Sequence, residues 1–332
     1  MNGKKLLALG ISLAVGLAAL TGCAPQDKDA GTVSQVIIYS NADDEAITAM
    51  ENALNAGGFA GQYLLETFGT SELGGKLLVE GTNLEADLVT MSTFYLQSAQ
   101  GRNNMFRPLD FQVNTLEEFP DYCAPITSQE GAMILNTTLL EESGLDRPAS
   151  LKDLAQPQYA GHLAVTDIQS SSTAWLLIQA LVDAYGESEA QTVLAGIYQN
   201  AGDHIESSGS APLKLCRAGE VSIGFGLRHQ AVADRASGLP IDYVDPTEGN
   251  FSLTESVAVV DKGDKTNPLA MEMAQCILEN ARAELIQTYP NPLYVGESAD
   301  PANRSAYPKT FQEPLTFELF QTHQDLSEAA KP

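Results

Sequence analysis

Apolar positions follow two different spacings along most of the chain. Short β-branched runs at Val36-Ile37-Ile38-Tyr39, Leu88–Thr90, Ala132–Leu135, Leu163–Thr166, Ser222–Phe225, Ile241–Val244 and Val257–Val260 predict strands. Between them lie stretches whose apolar residues return every third or fourth position. Ala42–Ala56 is one, with Ile47, Met50 and Leu54 on one face and Gly57-Gly58 as its stop. Glu72–Val79, Ala174–Tyr185, Glu189–Tyr198, Pro212–Ala218 and Pro268–Asn280 predict further helices. Strand and helix patterns in alternation predict an α/β fold. No Pro- or Ser-rich linker and no internal repeat interrupts residues 33–332.

Four strand-to-helix junctions share one composition. They are Ser40-Asn41, Gly69-Thr70-Ser71, Ser170-Ser171-Ser172-Thr173 and Ser207-Ser208-Gly209-Ser210. Ser, Thr and Asn are ordinary N-caps, and Ser40-Asn41-Ala42-Asp43 has the look of a capping box. Two of the four, however, are serine runs longer than a cap requires. Hydroxyls beside free backbone N–H groups at a helix start suit an anion, so the four together predict a shared anionic-ligand site.

The N-terminus fixes the compartment. Lys4 and Lys5 precede an apolar run from Leu6 to Leu20, and Leu20-Thr21-Gly22-Cys23 follows. The run is too short for a membrane span, which needs about 20 residues, and fits a signal peptide. Its last four residues resemble a bacterial lipobox, which implies lipid attachment at Cys23 and a polar tether from Ala24. The expected organisation is a signal peptide at 1–22 and a lipidated tether at 23–33, holding the rest outside the cytoplasmic membrane. Three cysteines then remain in the body, Cys123, Cys216 and Cys276. They allow at most one internal disulfide, with its pairing open; three buried hydrophobes are the plainer expectation.

Charge narrows the partners. The chain carries 43 acidic and 18 basic side chains for a net charge of −25, which becomes −27 once Lys4 and Lys5 leave with the signal peptide. Nucleic acid is excluded, because phosphate neutralisation needs clustered Lys and Arg. Four histidines without metal spacing give no metal site, and no cofactor is expected. Gly69–Lys76 misses the phosphate-binding P-loop, since Gly75 stands where the lysine belongs and Leu77 where Ser or Thr would bind a metal. Neither a Gly-x-Ser-x-Gly elbow nor a His-Glu-x-x-His motif occurs. A binder rather than an enzyme is therefore expected, with a secreted acidic hydrolase as the alternative from another class.

Taken in order, the motifs resemble the solute-binding proteins of ABC importers, in the ferric-ion and 2-aminoethylphosphonate group. Val36–Asn41 resembles the family's opening strand and first ligand loop, and Ala86-Asp87-Leu88-Val89 its ADVV strand. Ser150–Leu154 with Pro157–Gly161 is similar to its W-x-D-L…P-x-Y-K-G stretch, Asp167–Ala174 to DPTSSGTA, and Ser208–Pro212 with Gly219–Gly224 to its second-lobe loop and strand. The resemblance spans about Val36 to Gly296. It implies a type II periplasmic-binding fold: lobe 1 at 34–130 and 251–332, lobe 2 at 131–250, hinge strands between them, and ligand in the interlobe cleft. From Asn280 onward the chain is expected back on lobe 1. Lobe closure then presents the solute to a membrane permease, with the binder acting as a monomer.

Ferric-ion members carry an adjacent tyrosine pair where this chain reads Gly224-Phe225-Gly226-Leu227-Arg228-His229. The Ser-Gly-Ser-Ala-Pro loop matches the phosphonate branch instead. A phosphonate or phosphate solute is therefore expected, with sugar phosphate, polyamine and ferric ion as alternatives. The candidate ligand residues are Ser40, Asn41, Ser71, Ser92, Ser170, Ser171, Ser172, Thr173, Ser208 and Ser210. Arg228 is added as a charged partner for the anion, and Glu248 as a partner for a ligand ammonium.

Overall fold

The computed structural model describes residues 34–311 and 315–332; the signal peptide, lipobox and tether expected at 1–33 lie outside the described residues. In chain order the elements are β1 (Val36–Ser40), α1 (Asp44–Leu54), β2 (Tyr63–Thr67), α2 (Thr70–Glu80), β3 (Leu88–Ser92), α3 (Thr93–Asn103), β4 (Cys123–Asn136) and α4 (Thr137–Glu142). There follow β5 (Leu163–Thr166), α5 (Thr173–Ala201), β6 (Ile205–Glu206), α6 (Ala211–Ala218), β7 (Ile223–Leu227), α7 (Arg228–Ala236) and β8 (Ile241–Val244). The chain closes with β9 (Asn250–Val259), α8 (Pro268–Thr288), β10 (Pro308–Lys309) and α9 (Phe317–Ala330).

The strands run β2-β1-β3-β9-β4-β7-β5-β6, with β8 also on β4 and β10 on β9. β1, β2 and β3 are parallel neighbours, as strand–helix–strand crossovers require. β4 and β9 join the two halves. Residues 123–130 of β4 pair antiparallel with β9, while residues 131–136 pair with β7 and β8. β4 therefore belongs to both half-sheets, with β9 running antiparallel beside its first half, and the arrangement is a two-lobed α/β fold with hinge strands and a cleft between the lobes.

The first lobe packs β1 and the end of β9 against α1 and α8 through Val36, Ile38, Met50, Val257, Ile277 and Leu285. A larger apolar cluster runs from Leu73 and Leu96 through Trp175, Leu181 and Ile197 to Phe320. Cys123, Cys216 and Cys276 are all free and buried, as three small hydrophobes would be.

The periodic patterns locate most elements, and the departures have physical causes. The helices expected at Ala174–Tyr185 and Glu189–Tyr198 are the two arms of α5, bent at Gly186, whose φ of +75° lies in the left-handed region. α3 begins with four consecutive buried residues, Thr93 to Leu96, so it shows no apolar stripe to read. β2 is half exposed at the sheet edge and alternates weakly.

The C-terminus corrects one expectation. α8 and the segment to Glu297 pack beside the first half of β4, where Arg282 donates to the Ile126 carbonyl at 2.6 Å and the Tyr294 hydroxyl to the Pro125 carbonyl. α9 instead packs on α5 of the other lobe. Its buried residues Phe320, His323, Leu326, Ser327 and Ala330 form one helical stripe. Phe320 lies 4.8 Å from the Trp175 ring, Trp175 Nε1–H donates to His323 Nδ1 at 2.6 Å, and the Tyr198 and Ser327 hydroxyls pair at 2.6 Å. Burying Phe320 alone contributes about 1.5–3 kcal/mol.

His323 must remain neutral to accept that bond, and burial lowers its pKa from 6.5 to about 4. Between those values the unfolded chain takes up a proton that the native state refuses, so stability is complete above about pH 6.5 and declines as the pH falls. His323→Gln retains an acceptor for Trp175 without the titration. Thermal unfolding followed by the fluorescence of Trp175, the sole tryptophan, should show a smaller loss of Tm between pH 7 and 4.5 in this variant than in the parent.

Candidate functional site

Parallel strands deliver helix N-termini to one edge of each half-sheet, and the two edges face each other across the hinge. Between them is a cavity of about 360 Å³. All four hydroxyl-rich junctions contribute to its lining: Asn41 and Thr67–Thr70 from the first lobe, and Ser170–Thr173 and Ser207–Ser210 from the second. The start of α5 meets the start of α6 very closely. A Cβ on Gly209 would collide with Thr173 Oγ1 and lie 3.2 Å from Ser171 Oγ. Glycine is required here by contact between two loops. The Ser208 and Ser210 hydroxyls pair at 3.3 Å, and Ser171 Oγ accepts from the Thr173 N–H at 3.3 Å.

The Ser40-Asn41 junction differs from the other three in carrying a carboxylate beside it. Asp43 caps α1 by accepting from the Ala46 N–H at 3.2 Å. Burial pushes its carboxyl up, but the hydrogen bond and charge of His229 and the Tyr289 hydroxyl outweigh that and hold it below its ordinary value. The His229–Asp43 contact, 3.2 Å, joins the two lobes. So does Ser71, whose hydroxyl donates to the Gln169 carbonyl at 2.5 Å. An anion at the start of α1 would meet the Asp43 carboxylate, whereas none of the hydroxyl-rich starts of α2, α5 and α6 carries a carboxylate in its junction.

The remaining candidates divide. Asn41 lines the cavity and donates from Nδ2 to Thr70 Oγ1 at 2.9 Å. Ser40 is fully buried; its Oγ accepts from Thr90 at 2.7 Å and from the Ala42 N–H, so it shapes the turn rather than facing the cleft. Ser92 lines a small recess below the cleft with Gln129, Ser172 and Thr173. Arg228 and Glu248 are corrected to structural roles. The Arg228 guanidinium donates to Asp245 at 2.7 Å and to the Asn303 and Arg304 carbonyls, with Tyr243 4.6 Å from its centre. Glu248 accepts from the Leu151 and Lys152 N–H groups and the Tyr185 hydroxyl. Both are fully engaged away from the cavity lining.

The fold adds residues that no local motif signals. Lys214 and Arg217 reach the cavity from α6, Asp44 and Glu45 from α1, Gln129 from β4, Gln230 from α7 and Glu255 from β9. Arg217 is neutralised by Asp234 through two 2.6 Å bonds, whereas Lys214 has no ion-pair partner among the described residues. Glu255 is the only charged residue of β9, whose other polar residues are Asn250, Ser252, Thr254 and Ser256. Burial above all, then repulsion from Asp43, pushes its carboxyl up to about 8.

Residues 30–304 match the family described as bacterial extracellular solute-binding protein. The chain belongs to that family. An uncharacterized protein of Haemophilus influenzae is 24% identical over 255 residues, covering 72% of this chain and 71% of its own. Among solved structures, the periplasmic binding protein P5PA superposes with a TM-score of 0.72 at 16% identity, over 89% of this chain and 96% of that one. AfuA from Actinobacillus pleuropneumoniae, solved with exogenous fructose-6-phosphate bound, gives 0.67 at 18% identity, over 90% and 94%. At such identities the likeness establishes the fold. The protein is thus an extracytoplasmic solute-binding protein of the ABC-importer type, and no helix among the described residues is long and apolar enough to cross a membrane.

Two outcomes test this geometry. Gly209→Ala should part the α5 and α6 loops, lower Tm by the equivalent of about 1–3 kcal/mol, and weaken whatever solute binds there. Glu255 has an ordinary pKa of 4.5 when unfolded and about 8 when native. In that window the unfolded chain gives up a proton that the native state keeps, so the ligand-free protein loses stability as pH rises from about 5 to 8. Glu255→Gln should flatten this part of the Tm profile.

Proposed function

We propose that this protein captures a small solute bearing a phosphonate or phosphate group between its lobes, and hands it to a membrane permease while tethered by lipid at Cys23. The carrying observation is the convergence of the starts of α5 and α6 on the start of α2 around one cavity. Each start offers N–H groups not yet taken up by its helix, with hydroxyls alongside, and a helix N-terminus favours negative charge. Lys214 adds a cation without a carboxylate partner. Lobe limits at 34–130 with 251–311, and 131–250 with α9, fit this reading, because both sides then contribute donors and only the closed form assembles the full set. A single copy suffices for the site, in keeping with a monomer.

The alternatives fit the cleft less well. A ferric ion calls for phenolate oxygen, and the cavity lining among the described residues contains no tyrosine. A polyamine would find Asp44 and Glu45 at the rim, but would leave the donor-rich edge unmatched. The overall charge of −25 does not oppose an anion, since exposed charges are screened beyond about 8 Å at physiological salt. Donors within the cleft set the local potential.

A thermal-shift panel of 2-aminoethylphosphonate, phosphate esters and sugar phosphates tests the reading. A true ligand at about 100-fold over its Kd adds about 2.7 kcal/mol, whereas no response from any member rejects it. Ser172→Asp places a carboxylate at the proposed anion position and should weaken binding at least 100-fold, about 2.7 kcal/mol, with the ligand-free Tm little changed.

A further inference from the structure

The floor of the cleft has a chemistry opposite to that of its hydroxyl edge. Glu255 and Gln230 both face the cavity, and each is more than nine-tenths buried, at 8% and 5% exposure. Gln230 Oε1 is buried with no hydrogen-bond partner among the described residues. Asn41 Oδ1 is in the same condition, because that side chain commits its Nδ2 to Thr70. These are acceptors awaiting donors. Buried polar groups are normally satisfied, and leaving one unmade costs about 1–3 kcal/mol, so two beside one cavity, next to the buried Glu255 carboxyl, call for a specific occupant.

Among the described residues, no protein cation is paired with Glu255. Arg217 is paired with Asp234 and Arg228 with Asp245, while Lys214 is exposed on α6. His229 is held to Asp43 through Nε2. The side chains that stand nearest the Glu255 carboxyl, Thr127 and Asn41, bring no charge. A buried carboxyl without a counter-ion is a position where a ligand's charge can take that role. The group that matches is compact, cationic and has three N–H donors, which describes a primary ammonium.

We infer that Glu255, Gln230 Oε1 and Asn41 Oδ1 form an ammonium subsite at the cleft floor, so that the solute is a short zwitterion whose anionic end sits at the α5 and α6 loops. The inference rests on the anion reading proposed above and narrows it. The small recess shared by Glu255 with Ser172 and Thr173 puts the two subsites side by side. Simple phosphate esters then satisfy only half of the site.

Three probes of nearly equal size separate the claims: 2-aminoethylphosphonate, 2-hydroxyethylphosphonate and ethylphosphonate, titrated calorimetrically into the full soluble chain and into Glu255→Gln. The parent should bind the amine at least about tenfold more tightly than either amine-free probe. In Glu255→Gln that preference should collapse while ethylphosphonate affinity stays within about twofold. Equal binding of all three by the parent overturns the ammonium subsite and leaves the anion reading standing. A hydroxyl probe as tight as the amine overturns it too, since a neutral donor would then suffice. No binding of any probe overturns the anion reading and this subsite with it. Because the three probes are compared on the parent, the subsite is tested whether or not the variant folds.

Discussion

Everything in the cleft depends on the antiparallel ladder between β4 and β9. These strands carry the chain across the hinge in both directions, and pairing them to each other is what gives the lobes a common floor. Register and pleat then decide which side chains line it. Thr127 lies opposite Glu255 and Gln129 opposite Leu253, after a register shift between Pro125 and Thr127. Successive residues point to opposite faces of a strand, so Gln129 and Glu255 reach the ligand cavity while Ser128, Glu130, Ser252 and Thr254 line a second cavity of about 330 Å³ behind the hinge. A one-residue slip in this ladder would exchange the two sets.

Electrostatics inside the cleft is local rather than global. The molecule as a whole is strongly acidic, yet the edge of the cleft at α5 and α6 presents backbone N–H groups, hydroxyls and Lys214. The acids that approach are separated by function. Asp43 is consumed by capping α1 and by His229 and Tyr289, which explains why it remains ionised although half-buried. Glu255 meets only the uncharged Thr127 and Asn41 side chains, which do not offset its burial and the repulsion from Asp43, so its carboxyl is pushed up to about 8. Two carboxyls on the same floor thus shift in opposite directions, because His229 brings charge as well as a hydrogen bond to Asp43 while Glu255 faces only neutral groups and the Asp43 charge.

The lobes are also joined behind the cleft. Phe94 of α3 lies 5.0 Å from Trp175 and 5.2 Å from Phe320, which places residues from three distant parts of the chain in one aromatic cluster. With α9 laid along α5, opening of the cleft must move this cluster as a unit or slide Phe94 across it. Contacts at Ser71–Gln169 and His229–Asp43 bridge the cleft mouth in the same arrangement. Closure is therefore favoured by a few weak cross-lobe contacts, on which a ligand's own contacts are superimposed.

Local pattern determined the strand and helix alternation, the fold class and the serine-rich loops, because each is written in consecutive residues or in helical spacing. Ser170–Thr173 and Ser208–Ser210 could be picked out without coordinates for that reason. Arg228 and Glu248 could not be judged that way: their composition suits a binding site, but whether a charge faces ligand or an internal partner depends on Asp245 and on the N–H groups of Leu151 and Lys152, which only folding brings near. Gln230 and Glu255 were invisible for the converse reason. Neither stands in a motif, and each acquires its role from the sheet register and from α7 packing beside β4. Neighbours along the chain settle local structure; the tertiary structure decides which polar groups are left without partners, and those are the groups a ligand must satisfy.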